Sequence, residues 1–388
     1  METPYFILDE KSLIENIMRF KEALEKNWSN SKIAYSIKTN SLPWLLKYMC
    51  SNDIFAEAVS QEEYDLAVLC GYNASRIVFN GPIKTEKQFE MAVLNGSIVN
   101  IDSQGEIDFL KKKKPVIKGY LGIRVNIDPK IFHDEDVEYS EDGFRFGFAD
   151  KDGHLENVIN DLEKIYGHRN FGLHLHCNTV TRSVDAYQAI SKYATELIVK
   201  YNLKPKYIDI GGGFFGGVPG KPAADDYISA IRQIFDSVID VNDTMLIIEP
   251  GSALSGSIFD FYTSVLDVKD TLKSRIVTTD GSRINIDPLW IKSRYQYDII
   301  NLSKNKIIED QIICGYTCMD HDRIMRIKNQ QELMPGDRIV YHKVGNYTIT
   351  FGGMFIRYYP EIYVKKTSGE IEMIRHRTSV EEYYNIHN

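Results

Sequence analysis

Eight short apolar runs, at 33–37, 54–59, 76–79, 98–101, 121–125, 171–176, 207–210 and 245–248, punctuate the first two-thirds of the chain. Amphipathic stretches of helical period lie between most of them. The stretch 61–69, for example, sets Tyr64, Leu66, Ala67 and Leu69 among acids, and 85–94 behaves likewise. Runs rich in Val and Ile that alternate with helices imply parallel strands buried on both faces. Their usual spacing, roughly 20 to 25 residues, is that of one βα unit. Polar residues follow the carboxyl end of nearly every run, the face where a (β/α)8 barrel gathers its reactive groups. The longest gap, 128–169, holds an acidic stretch at 133–142 that reads as a flexible insertion.

Beyond about residue 256 the pattern changes. Short strands are predicted at 265–268, 276–279, 307–314, 338–344, 347–351 and 361–365, with few helical signals and a turn at Met334-Pro335-Gly336-Asp337. The predicted division is a barrel over 10–255 and a mostly-β domain over 256–388, which residues 1–9 join through a strand at 4–8.

Composition narrows the function classes. A net charge of −8 argues against a nucleic-acid footprint or an anionic-membrane partner. No apolar run approaches the roughly 20 residues of a membrane span. The five cysteines are scattered, odd in number and without a CxxC pair, and the first residues carry no signal-like segment. A reduced cytoplasmic protein is expected.

Three features at the predicted strand ends carry chemistry. Lys38 follows the first run, where its amine can form a Schiff base if partial desolvation lowers its pKa; a solvated loop lysine is the bland alternative. Gly211-Gly212-Gly213 follows the seventh and lets backbone N–H groups approach a phosphate, although a tight turn explains a bare triple glycine equally well. Glu249 follows the eighth; beside a pyridine nitrogen it would keep that nitrogen protonated, and otherwise it would pair with a cation in the barrel wall. A lysine, a phosphate cradle and a carboxylate on one face point to pyridoxal 5'-phosphate (PLP). His174 and His176 share one face of a strand. No third ligand of convincing spacing accompanies them, so a barrel-filling His174 and a cofactor-stacking His176 are expected rather than a metal site. Cys318 and Tyr347 are ambiguous alone.

Taken together, these residues resemble the alanine-racemase-fold PLP decarboxylases, which include the diaminopimelate, ornithine and arginine decarboxylases. Tyr35-Ser36-Ile37-Lys38-Thr39-Asn40 is similar to the family's YAVKAN, and the segment from Glu57 to Glu63 to its DVASxGE. Asn100-Ile101-Asp102-Ser103, Arg124-Val125-Asn126 and Phe146-Gly147 resemble NvDS, RvN and KFG. Gly172-Leu173-His174-Leu175-His176, Asp209 to Gly213 and Glu249-Pro250-Gly251 resemble GLHxH, DxGGG and EPG. Gly315 to Cys318 with Asp322, Pro335-Gly336-Asp337 and Gly345 to Thr348 resemble GPxCxxxD, xGDW and GAYT.

The resemblance implies a PLP-binding (β/α)8 barrel with a C-terminal β domain, working as a head-to-tail homodimer with shared active sites. Lys38 would hold the cofactor beside Glu57, His176 would stack on its ring, and Thr179 with Gly211, Gly212 and Gly213 would bind its phosphate. Glu249 would face the ring nitrogen. Cys318 and Tyr347 would come from the partner subunit, Cys318 as proton donor and Tyr347 near the phosphate. Racemases of this fold carry an arginine at the ring nitrogen, so Glu249 favours loss of CO2 over racemisation. A racemase and a non-catalytic regulatory homologue stand as the alternatives.

Three departures bear on substrate. Ser252 replaces the arginine of EPGR. Asp287, in Asp287-Pro288-Leu289-Trp290, stands where RPxLY has a carboxylate-binding arginine. Met319 follows Cys318 where an acid would meet a distal amine. Without bidentate guanidinium donors a distal carboxylate is poorly held, and Met319 offers nothing to an ammonium. Neither diaminopimelate nor ornithine is therefore the expected substrate. An N-acylated or carrier-linked amino acid, such as a siderophore or other secondary-metabolite intermediate, suits these positions better. Arg283, with Lys292 and Arg294, is the candidate replacement charge.

Overall fold

A computed structural model describes residues 1–138, 141–300 and 306–388 of the chain. They form two compact units, Asn16–Leu254 and Met1–Glu15 with Ser255–Asn388.

The first unit is a closed barrel of eight parallel strands. In chain order these are Ser31–Ser36, Phe55–Ala58, Ile77–Phe79, Ile98–Ile101, Tyr120–Asn126, Gly172–Leu175, Tyr207–Ile210 and Met245–Ile248, the last pairing with the first. All eight expected strands are present. Helices follow most of them, and several start at caps the sequence encodes. Ser60 accepts from the Glu63 amide, and Thr85 with Gln88 and Ser103 with Glu106 form capping boxes.

Period-2 alternation along the strands divides the barrel interior. An apolar cluster of Ala34, Phe55, Val78, Ile98, Tyr207 and Ile247 fills one level. Gly122 and Gly172 complete it, because a Cβ at either would fall 2.2 Å from the Tyr207 phenol. Two residues further along every strand the interior position is polar and buried: Ser36, Glu57, Asn80, Asn100, Arg124, His174, Asp209 and Glu249. The barrel thus carries an apolar floor beneath a polar lining at the carboxyl ends of its strands.

The acidic stretch 133–142, expected to be flexible, is anchored at Asp136. Asp136 is buried, its carbonyl accepts from Val180 N at 2.8 Å, and its carboxylate accepts from the Thr181 and Ser183 hydroxyls. Residues 139 and 140 lie outside the described residues.

The second unit is built on a nine-stranded sheet. Its main path runs Arg323–Gln331, Ile307–Cys314, Arg275–Thr279, Phe259–Asp270, Tyr5–Asp9, Glu361–Lys365, Ile371–Arg375; Arg338–His342 and Gln296–Ile300 branch from Phe259–Asp270. Two details differ from expectation. Residues 347–351 are no strand: Tyr347 takes a left-handed φ of 58°, and Thr348 opens a short helix, Thr348–Phe351, by donating to the Val344 carbonyl. Three strands went unpredicted, Gln296–Ile300, Arg323–Gln331 and Ile371–Arg375, because their exposed faces bury too few apolar residues to show a pattern.

His342 ties three of these strands together, its Nδ1 lying 3.0 Å from Asp260 and its Nε2 3.1 Å from Asp298. Burial pushes the imidazole pKa down, but the two carboxylates outweigh it and the net shift is upward. A raised folded-state pKa stabilises the fold fully below the ordinary value of about 6.5 and loses that contribution as pH rises through the folded value. Denaturation midpoints should therefore fall for the wild type relative to His342→Gln as pH passes upward through neutrality. A constant gap between the two would refute the bridge.

Among the described residues, no helix is long and apolar enough to cross a membrane.

Candidate active site

Lys38 sits just past the first barrel strand, in a short 3-10 turn at Ile37–Thr39. Its Nζ lies 2.6 Å from Glu57 Oε2 and 2.7 Å from Ser36 Oγ, and Ser36 in turn donates to the same Glu57 oxygen. Burial pulls the ammonium pKa down, but Glu57 and then Glu249 outweigh it, so the net shift is upward. The downward shift expected of a desolvated lysine does not occur here, because the strand next door brings a buried carboxylate into direct contact.

Glu57, Asn80, Arg124, His174, His176 and Glu249 join Lys38 around a cavity of about 220 Å³. Glu249 is 2 % exposed; one oxygen accepts from Asn80 Nδ2, and the other is 3.7 Å from His174 Nε2. Burial holds His176 neutral, its pKa pushed down to about 3, and depresses that of His174 well below the usual range, helped by Arg124. Asp209 behaves oppositely. Burial, then Glu249 and Glu57, push its carboxyl well above the ordinary range.

The metal reading needs correcting on one point. His174, Asp209 and Glu249 bring ligand atoms within 4.8 Å of one another, so the histidine does have carboxylate neighbours. They come from other strands, where sequence spacing could not reveal them.

The triple glycine is packed as a cradle. A Cβ on Gly211 would sit 1.9 Å from His176 Nδ1, one on Gly212 would sit 2.4 Å from the Glu249 carbonyl, and Gly213 has a φ of 111°. Thr179 is buried nearby in sequence to the anchored 180–183 loop, whereas Asn178 is exposed. Both ring nitrogens of His174 and Nδ1 of His176 are buried without a hydrogen-bond partner among the described residues. An amine, facing carboxylates, unpartnered imidazoles and side-chain-free backbone make a donor set that fits PLP.

The other predicted residues belong to the second unit. Cys318 is exposed on a loop that Asp322 organises by accepting from the Ser282 and Thr317 hydroxyls at 2.8 and 2.7 Å; Met319 and Tyr347 are half-buried. Asp287 turns inward instead of toward a ligand. Its buried carboxylate accepts from Arg283, the amides of Ile291 and Lys292, and Tyr295 Oη. Arg283 is occupied by the same pair and stacks over Trp290, and Lys292 Nζ donates to the Ile286 carbonyl. Neither cation is thus a free replacement for the missing arginines; Arg294 is exposed.

Asn80 was missed altogether, yet it is the first polar residue after Ile77-Val78-Phe79. The strand-end rule that singled out Lys38 applies to it equally.

Known proteins match along the whole chain. Residues 10–256 fit the sequence profile of the pyridoxal-dependent decarboxylase pyridoxal-binding domain. Diaminopimelate decarboxylase of Helicobacter pylori is 25% identical over 400 residues, covering 99% of this chain and 95% of the relative. An L-glutamyl acyl-carrier-protein decarboxylase of Niallia circulans is 24% identical over 406 residues, covering 98% and 92%. The crystal structure of the Helicobacter pylori diaminopimelate decarboxylase complexed with L-lysine shares the fold, with a TM-score of 0.84 at 22% identity, covering 100% of this chain and 97% of that one. With a profile match across most of its length and a barrel whose lining fits the cofactor, this chain belongs to the pyridoxal-dependent decarboxylases.

Proposed function

We propose that this enzyme removes the α-carboxylate of an amino acid presented as a conjugate, with meso-diaminopimelate and ornithine as poor substrates. The observation that carries the reaction is the convergence of Lys38 and Glu249 on one cavity. Once bound, PLP supplies an electron sink for the pair left behind as CO2 departs. Lys38 anchors the cofactor, and Glu57 orients the lysine amine. Glu249 would keep a proton at the ring nitrogen, neutral His176 would stack on the ring, and Thr179 with the Gly211–Gly213 amides would hold the phosphate. In a head-to-tail dimer, Cys318 of the partner subunit would return a proton to the substrate carbon, and the partner's Tyr347 would help hold the phosphate. Free thiols at all five cysteines suit a reducing cytoplasm.

The substrate reading rests on the second unit's own chemistry. Asp287 and Arg283 neutralise each other internally, and Met319 beside Cys318 is apolar. A distal carboxylate or ammonium finds no free complement at these positions. The Niallia circulans relative, named for an aminoacyl group on a carrier protein, supports a conjugate.

The first test is the visible spectrum of the purified protein before and after borohydride, with Lys38→Ala as control. A band that borohydride bleaches and the variant lacks is expected. Its absence from the wild type would overturn the Lys38 assignment. A CO2-release screen over free and conjugated amino acids follows, and ordinary saturation with diaminopimelate or ornithine at comparable turnover would overturn the substrate reading. Gly211→Ala should weaken PLP binding about tenfold or more in a fluorescence titration. Its Cβ has no room beside His176, and overpacking costs about 1–3 kcal/mol. Unchanged affinity would show that the cradle lies elsewhere.

A further inference from the structure

Three carboxylates, Glu57, Asp209 and Glu249, converge in the barrel lining, each at most 2 % exposed. Buried like charges at such range cannot all ionise without donors to hold them. The proposed chemistry requires the charge at Glu249 and at Glu57, with Asp209 as the neutral member. Something must choose which acid keeps the proton.

Asn80 stands between them. Its Nδ2 donates both to Glu57 Oε1, at 3.3 Å, and to Glu249 Oε1. The amide cannot be turned round, because its Oδ1 accepts from Asn100 Nδ2 at 2.7 Å, and Asn100 Oδ1 is itself occupied by Tyr207 Oη at 2.6 Å. The chain of donors therefore runs one way, from Tyr207 through Asn100 and Asn80 to the two glutamates. Asp209 receives only the second Asn100 hydrogen, at 3.0 Å, and its Oδ1 has no partner among the described residues. Hydrogen bonds to a carboxylate favour its charged form; Glu249 accepts from Asn80, and a proton kept on Asp209, whose carboxyl hydrogen-bonds Glu249, gives that anion a second donor.

We propose that Asn80 is the positioning residue that holds Glu57 and Glu249 as two separate anions and leaves the site's shared proton on Asp209. The inference rests on the proposed roles of Lys38 and Glu249. Asn80 itself lies outside the motifs quoted above and lines the same cavity as Lys38. The other charged or titratable groups facing this cluster are Lys38 after the first strand, Glu63 on the helix after the second, whose carboxyl burial pushes up to about 7, Asp102 after the fourth, Arg124 on the fifth and Tyr207 on the seventh. His174 and His176 face it from the sixth strand and its end, and both are held neutral. Lys38 donates to Glu57, but of these groups none donates to both glutamates as Asn80 does.

The test is a spectrophotometric pH titration of the holoenzyme, comparing wild type with Asn80→Ala and the equal-sized Asn80→Asp. Both variants should keep a borohydride-sensitive band. The acid limb of the titration should move up by about one pH unit in Asn80→Ala, a tenfold change in proton affinity, and at least as far in Asn80→Asp, which adds a fourth acid. Limbs coincident with wild type would overturn the proposal, as would loss of the cofactor from both variants with native secondary structure, which would make Asn80 a packing residue. If the alanine variant alone loses cofactor, the aspartate variant decides by the same criterion. A wild type without the band would instead refute the Lys38 assignment.

Discussion

Glu249→Gln is expected to lower the decarboxylation rate by about 10² to 10³ while leaving the cofactor bound and trappable on Lys38. The substitution is unusually clean here. A glutamine at 249 can still accept from Asn80 through one atom, and it can direct its new N–H toward His174 Nε2, 3.7 Å away on a ring that burial keeps neutral. Shape and hydrogen bonding survive, and only the negative charge is lost. On the proposed reading, what disappears is the group that would keep the ring nitrogen protonated, so the loss should fall on the single-turnover rate and hardly on KM, as for an interaction made mainly in the transition state. A fall of less than tenfold, with the cofactor fully bound, would remove Glu249 from the chemistry.

Much of this site was legible in the chain because barrels place chemistry by rule. Strand ends flagged Lys38, the triple glycine and Glu249, and period 2 placed His174 and His176 on one face. The same alternation, carried round all eight strands, would also have marked Ser36, Asn80, Asn100 and Asp209 as interior and polar. What sequence could not supply is which of these meet. Glu57 and Asn80 are neighbours because their strands are adjacent, but Asn80 and Glu249 are 169 positions apart and touch only through the closed barrel. The direction of the Lys38 shift failed for the same reason: desolvation is a property of the residue's own position, whereas the contact with Glu57 depends on strand register. In the second unit, the place of Asp287 in a motif says nothing of its rotamer, so its inward turn is not legible in the sequence. Its four donors come from Arg283, one helical turn upstream, and from residues four to eight positions downstream, a loop closure of which only the Arg283 pair follows a helix period.

Lys84→Met is expected to destabilise the barrel by about 3–5 kcal/mol, the usual consequence of removing one partner from a buried ion pair. Lys84 is buried after the third strand, and its three N–H groups reach the Gly81 carbonyl, the Asn100 carbonyl at 3.0 Å and Glu106 Oε1 at 2.6 Å. Burial lowers its pKa against the opposing pull of Glu106. Methionine fills the same volume but leaves the Glu106 charge without its cation and two carbonyls without a donor. For a unit of this size, that loss corresponds to a drop of about 10 °C or more in melting temperature. Glu106 also caps its helix by accepting from the amides of Asp102 and Ser103 at 2.8 and 2.9 Å. Glu106→Gln keeps an acceptor for that cap, so the double variant should be more stable than Lys84→Met alone, with a coupling of about 0.5–3 kcal/mol. Strict additivity would show that the ion pair contributes nothing as a pair. The two carbonyls that Lys84 binds flank the amides of the polar lining, one belonging to Asn100 itself and the other to the residue after Asn80. The lysine therefore fixes the backbone from which Asn80 and Asn100 reach the carboxylates. Any Lys84 variant that still folds should shift the acid limb of the holoenzyme in the same direction as Asn80→Ala, and by less.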